Sequence, residues 1–323
     1  MRTSGLWCAA VLTISEAAAE DLDAAAPDPC IQAPIGTELV SHDGGAMVMR
    51  LPLLGLCLWC ASAAAANRAA DGPPSGGVDE PANGYVTYSG TARARHGPRV
   101  LYLERDVVRY QNGRPAERVV LYSCANGVAF ARKEVTYVDP LAPDFMLEDV
   151  ASGMREGIRS VPPGRSVRAA RSVFFESRNE PPKSGPLPQV ADLVADAGFD
   201  EFVHLHWDDL VKDRTLTLHF LLPSRLDDYA FQVRRLRADR IEGVPVQVFR
   251  LRLSGFWGWI LPGIDVAYGE ANRVLVRYDG LSDLRDPSND NFQTVVSFAP
   301  GDRHQADGDP LREARQAHLA PCT

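Results

Sequence analysis

Residues 100–138 read VLYLERDVVRYQNGRPAERVVLYSCANGVAFARKEVTYV. Apolar residues recur at every second position: Leu101, Leu103 and Val107 fall on one face, while Tyr102, Glu104 and Asp106 fall on the other. That period belongs to a strand, although Val107-Val108 blurs it. Asn112-Gly113 and Asn126-Gly127 interrupt the pattern with residues that tolerate positive φ, the requirement of a tight hairpin turn. Val100–Tyr110, Arg118–Cys124 and Val128–Val138 are therefore predicted as an antiparallel meander.

Upstream, Tyr85–Tyr88 reads as a short strand closed by Gly90. Downstream, the pattern loosens from Asp139 to Gly164, punctuated by Pro140, Pro143, Pro162 and Pro163, and returns over Ser166–Glu176. Glu180–Pro186, with its three prolines, reads as a loop or linker. Val190, Leu193, Val194 and Ala197 keep helical spacing up to Gly198, a candidate helix end. Asp200 is placed to cap a second helix carrying Phe202, Val203, His206, Trp207 and Leu210. Strands then resume over Thr215–Leu222, Tyr229–Arg237, Val244–Leu253, Ile264–Tyr268, Arg273–Tyr278 and Phe292–Phe298. About ten strands joined by hairpins, with one or two helices inserted, predict a mainly β fold. Its form is one large curved antiparallel sheet or incomplete barrel.

Residues 49–66 have the pattern of a secretory signal: Arg50, an apolar run from Leu51 to Ala61, then small residues at cleavage spacing. The expected organisation is 1–48 as an upstream mis-start or extension, 49–66 as signal, 67–83 as a flexible lead-in, 84–299 as one β-rich domain and 300–323 as a loosely ordered polar tail. Export through a signal starting at Met47 or Met49 places the mature chain in the periplasm, with no transmembrane segment in it. After residue 66 the chain holds 32 of its 34 basic and 35 of its 42 acidic residues, a balance of about −3 that argues against a nucleic-acid partner. Cys124 and Cys322 are the only cysteines left there, a candidate disulfide in an oxidising compartment or else two free thiols.

The segments Gly198-Phe199-Asp200, Trp207-Asp208, Leu222-Pro223-Ser224-Arg225 and Tyr278–Ser282 resemble a group of uncharacterised exported proteobacterial proteins. More distantly, the signal, the meander, the helical plug and the final hairpin resemble the LolA-like periplasmic half-barrels. That resemblance implies a concave sheet that binds acyl chains beneath a helical lid; it implies no catalytic residue.

Several polar groups could carry chemistry. His204, His206 and Asp208 would share one face of a strand and could hold zinc. Helical spacing separates them, so no metal is expected. Asp208-Asp209 and Asp227-Asp228 sit at element ends, where capping explains them. Ser172, Ser224, Ser254 and Ser282 lack a nucleophile-elbow context. A basic group of Arg234, Arg235, Arg237 and Arg240 faces Arg250 and Arg252 on the next strand; it reads either as an anion site or as an outer face balanced by Asp239 and Glu242. Residues 255–262, Gly-Phe-Trp-Gly-Trp-Ile-Leu-Pro, are too apolar for an idle loop, and either close the core or line a ligand mouth. The expected function is a carrier holding an apolar or lipidic ligand, with Phe256, Trp257, Trp259, Trp207, Arg235 and Arg237 as ligand-binding residues and no cofactor. The alternatives are an envelope interaction module with a protein partner and no small ligand, or a hydrolase. Enzyme activity is the lesser expectation.

Overall fold

Asn112 and Gly113 have φ of 53° and 72° in the computed structural model, and they join residues 100–111 to 114–123 as a two-residue turn. Glu242 and Gly243, at 49° and 84°, do the same later in the chain. The structure describes residues 80–161, 170–255, 263–286, 288–299 and 301–322, all within one unit, Pro74–Thr323.

The first half is an uninterrupted meander: β1 (Gly84–Ala94), β2 (Val100–Gln111), β3 (Arg114–Ser123), β4 (Ala129–Thr136), β5 (Asp144–Asp149), β6 (Met154–Val161), β7 (Ala170–Ser177) and β8 (Glu180–Pro186). The second half opens with β9 (Leu193–Val194) and the helices α1 (Gly198–Leu205) and α2 (Trp207–Val211). It continues through β10 (Leu216–Leu222), β11 (Asp227–Ile241), β12 (Val244–Leu253), β13 (Ile264–Gly269), β14 (Leu275–Arg285) and β15 (Asn291–Phe298). A short β16 (His304–Ala306) and helix α3 (Pro310–Gln316) end the described chain.

All sixteen strands form one sheet in which β1 pairs with β15, so β8 and β9 are its two edges. Among the described residues only the β9–β10 contact is parallel. The protein is thus mainly β, one large open sheet rather than a closed barrel. Its edges meet through side chains: Leu193 and Leu221 from β9 and β10 pack with Val135, Phe145, Ile158 and Val173 from β4 to β7. One backbone bond helps, from the Ala195 N–H to the Leu141 carbonyl. Gly198 starts α1 at this junction because a Cβ there would lie 1.8 Å from the Leu141 oxygen.

The structure departs from the sequence reading in four places. Residues 139–161 hold two strands, β5 and β6; Pro140 and Pro143 lie in the connection before β5, and Pro162 and Pro163 lie outside the described residues. Glu180–Pro186 is a strand, and its prolines are tolerated because β8 is an edge. No helix spans 190–197, where Asp192 and Asp196 take positive φ around the two-residue β9. The tail is anchored: β16 pairs with β1, and Leu311 and Ala314 of α3 cover Val107 and Val119 on the outer face of β2 and β3. Asp309 caps α3 by accepting from the Arg312 N–H at 3.1 Å. Cys124 and Cys322 form a disulfide, Cα–Cα 5.8 Å, that ties the end of this tail to the end of β3.

Directly paired residues share a face of the sheet. One row therefore crosses the first half as Tyr88, Asp106, Val120, Lys133, Leu147, Glu156, Phe175 and Lys183, from β1 to β8. This is the concave face, since Lys133 on it reaches Asp283 of β14. On the second half, α1 and α2 lay Phe199, Phe202, Val203, Trp207 and Leu210 against Leu218, Val233, Phe249 and Val266.

Candidate ligand cleft

On β2 the face carrying Tyr102, Glu104 and Asp106 turns inward; Tyr102 is 2% exposed and Asp106 1%. A charge placed there needs partners, and the neighbouring strand supplies the first. Arg118 of β3 donates from Nε to Asp106 Oδ1 at 2.8 Å and from Nη1 to Asp200 Oδ2 at 3.1 Å. Asp200 does not cap its helix; the N-cap is Ala197, without a side-chain bond. Its other oxygen accepts from the Tyr268 hydroxyl at 2.6 Å.

A second guanidinium arrives from the tail. Arg303 donates to the Tyr110 hydroxyl at 3.0 Å, which in turn donates to Glu80 at 2.8 Å. The Arg118 and Arg303 guanidiniums lie 5.9 and 4.6 Å from the centroid of the same Tyr88 ring. Their side chains are 13% and 9% exposed.

Together these groups line a cleft beside α1, with Tyr137, Glu201, His204 and Arg273 at its walls. The cleft is half open to solvent; its cavity volume is about 50 Å³, and about 460 Å³ when the adjoining open solvent is included. Burial pushes the hydroxyls of Tyr88, Tyr110, Tyr137 and Tyr268 above the usual phenol range, so each stays neutral and able to donate. Burial also raises the Glu201 carboxyl, against the pull of His204. His204 is held at the rim, its Nε2 2.8 Å from the Arg273 carbonyl and its ring edge-on to Tyr268.

A second polar group lies further along the concave face. Lys133, 11% exposed, meets Asp196 and, at 2.9 Å, Asp283, which is 53% exposed. Solvent therefore reaches the concave face between β4 and β14. Burial, helped by the charge of Asp283, raises Glu156 to about 8. Glu104 is raised by burial and by Asp106.

Of the residues singled out from the sequence that the structure describes, His204 lines this cleft, while Trp207, Arg235 and Arg237 lie elsewhere. Trp207 is packed edge-on against Phe249, centroids 5.4 Å apart, with the Arg273 guanidinium 5.2 Å from its ring. Arg235 is paired with both oxygens of Asp213 at 2.8 and 2.9 Å, and Arg237 with Asp239 at 2.9 Å. A bulge between Arg235 and Arg237 breaks their shared register. Arg250 is answered by Asp265 across the next ladder, not by Glu242. Phe256, Trp257 and Trp259 lie outside the described residues. His206 packs at a tilt against Phe202, centroids 4.6 Å apart. Among the described residues no three His, Cys, Asp or Glu side chains gather as metal ligands. No helix among them is long and apolar enough to cross a membrane.

Sequence reasoning missed Arg118, Arg303, Tyr88 and Tyr137. The signal was the polar face of β2: carboxylates at 104 and 106, alternating inside a strand with Tyr102 and Val108, demand cations from elsewhere if that face is buried.

No protein-family model and no curated protein matches the sequence. Among solved structures the chain is similar to a beta-barrel-like protein of domain of unknown function DUF1849 from Brucella abortus. The two are 10% identical over 71% of this chain and 100% of that one, with a TM-score of 0.34. It is also similar to a DUF1329 family protein from Desulfovibrio piger, 10% identical over 73% and 92%, with a TM-score of 0.28.

Proposed function

We propose that this chain is an exported binding protein of the periplasm that holds a small polar ligand in the cleft over Tyr88. The observation that carries the reading is the pair of guanidiniums, about nine-tenths buried, stacked on one tyrosine at the base of an open cleft. Ordering and burying two arginines opposes folding through lost hydration and side-chain freedom. An arrangement of that cost at a solvent-accessible cleft is what a pre-organised binding site requires. Export rests on the signal pattern of residues 49–66. The test is an NMR titration of the ¹⁵N-labelled mature chain with the low-molecular-mass fraction of a periplasmic extract. Shifts centred on Tyr88, His204 and Arg273 support the proposal; shifts confined to the outer face, or none, refute it.

A lipidic cargo on the concave face is the second reading. It is favoured by the seam between β8 and β9, which side chains close and backbone ladders do not, so the sheet can part there without breaking strand pairing. Against it, the cleft found on the concave face has a volume of about 50 Å³, well short of the roughly 300–1,000 Å³ of ordinary ligand pockets. Native mass spectrometry of protein purified from cells distinguishes the two readings: a co-purifying lipid supports the cargo, and its absence together with unquenched tryptophan fluorescence on adding palmitate rejects it.

A further inference from the structure

We infer that the cleft over Tyr88 takes a neutral polyhydroxylated ring, a saccharide unit; the inference rests on the binding reading above and names its ligand class.

The first argument is charge. The guanidiniums in the cleft already have carboxylates: Arg118 meets Asp200 at 3.1 Å and Arg303 meets Glu80 at 3.5 Å. An anionic ligand would compete with Asp200 and Glu80, and a cationic one with the arginines. The cation would leave a largely buried arginine short of a carboxylate, and the anion would bring a like charge against Asp200 and Glu80; both are unfavourable. A lining that is charge-balanced in this way selects for a ligand without net charge.

The second argument is hydrogen-bonding capacity. Four tyrosine hydroxyls line the cleft, each with one donor and two acceptor lone pairs. Tyr110 and Tyr268 donate inward, to Glu80 and Asp200, which leaves acceptor sites on both. The Nδ1 of His204, whose Nε2–H donates to the Arg273 carbonyl, adds an acceptor, and the carboxyl of Glu201 adds further polar oxygens. A site that offers donors and acceptors side by side matches hydroxyls, which play both roles, and does not match an acyl chain.

The third argument is space. A cavity volume of about 50 Å³ has room for a few waters, since about 10–15 Å³ of such space suffices for one. A ring lodged in the wider mouth can put one or two hydroxyls where those waters would sit, reproducing their bonds. Tyrosine side chains and Val108 at the wall offer apolar contact for the C–H face of such a ring.

The experiment is a ¹H–¹⁵N titration of the mature chain, disulfide intact, with glucose, galactose and N-acetylglucosamine. Inorganic phosphate, glutamate and palmitate serve as charged and apolar comparators. The expected result is a millimolar saccharide isotherm whose shifts centre on Tyr88, Tyr137, His204 and Arg273. Glu201→Gln and Tyr137→Phe, each checked for unchanged thermal unfolding, should weaken it about three- to tenfold. Glu201→Gln keeps size and polarity, so it reports on the cleft even if Tyr137→Phe loosens the fold. Shifts at the cleft with phosphate, glutamate or palmitate but none with the three sugars overturn the ligand class and leave the binding reading standing. A cleft that responds to none of the six probes overturns both.

Discussion

The two halves of the sheet treat their concave faces differently. On β10 to β13 the face is covered by α1 and α2, and its side chains are Leu218, Val233, Phe249, Leu251 and Val266, all buried. On β2 to β6, among the described residues, no apolar helix face packs on this side of the sheet, α1 meeting it through the Asp200–Arg118 pair, and the row across it alternates Asp106, Lys133 and Glu156 with Val120 and Leu147. The sequence period is two in both regions. What differs is the neighbour: an apolar helix face on one side, and on the other β14 and β15, which bring Leu284, Val296 and Phe298 to an apolar cluster with Tyr102, Leu147 and Phe175 but also bring charge at Asp283. Packing acts in both regions, and only the second must also pair buried charges.

That contrast can be broken or sharpened by mutation. The largest effect is expected under the helices: Phe249→Ala should cost about 3–5 kcal/mol in urea unfolding, because a fully buried ring leaves a cavity. Lys133→Ala should come next, at about 3 kcal/mol, since it strands the buried Asp196 carboxylate. Lys133→Met combined with Asp196→Leu should recover most of that loss; if it does not, the pair does more than neutralise itself.

The pH dependence separates the halves as well. Glu156 has its carboxyl raised to about 8 in the fold, against 4.5 for the free side chain. The native state therefore keeps a proton that the unfolded chain has released, and stability falls as pH rises from about 4.5 to about 8. Glu156→Gln should make the fall of the urea midpoint over that window shallower, Glu104 supplying the remainder, whereas Phe249→Ala should lower the midpoint by the same amount at every pH. The smallest effect is expected for Asp283→Ala, about 0–1 kcal/mol, because half of that side chain is in water.

Much of the architecture was legible because it is local. Asn112-Gly113 sets a hairpin from two adjacent residues, and the alternation in residues 100–138 sets the strands beside it. The reading failed where neighbours in space override neighbours in sequence. Prolines in Glu180–Pro186 argue against a strand until β8 is known to be an edge. The spacing of Val190, Leu193, Val194 and Ala197 looks helical, yet Leu193 and Val194 are drawn into the parallel pairing with β10.

The candidate cleft was the least legible part. Arg303 and Tyr110 are 193 positions apart, and Lys133 and Asp283 are 150 apart. No window of sequence contains both members of either pair. The chain by itself determined that it folds as hairpins into one mainly antiparallel sheet, since turn residues and side-chain period act within a few bonds. Only the tertiary structure decided which face of β2 points inward, because a buried carboxylate is tolerable only once Arg118 and its other partners have been brought to it.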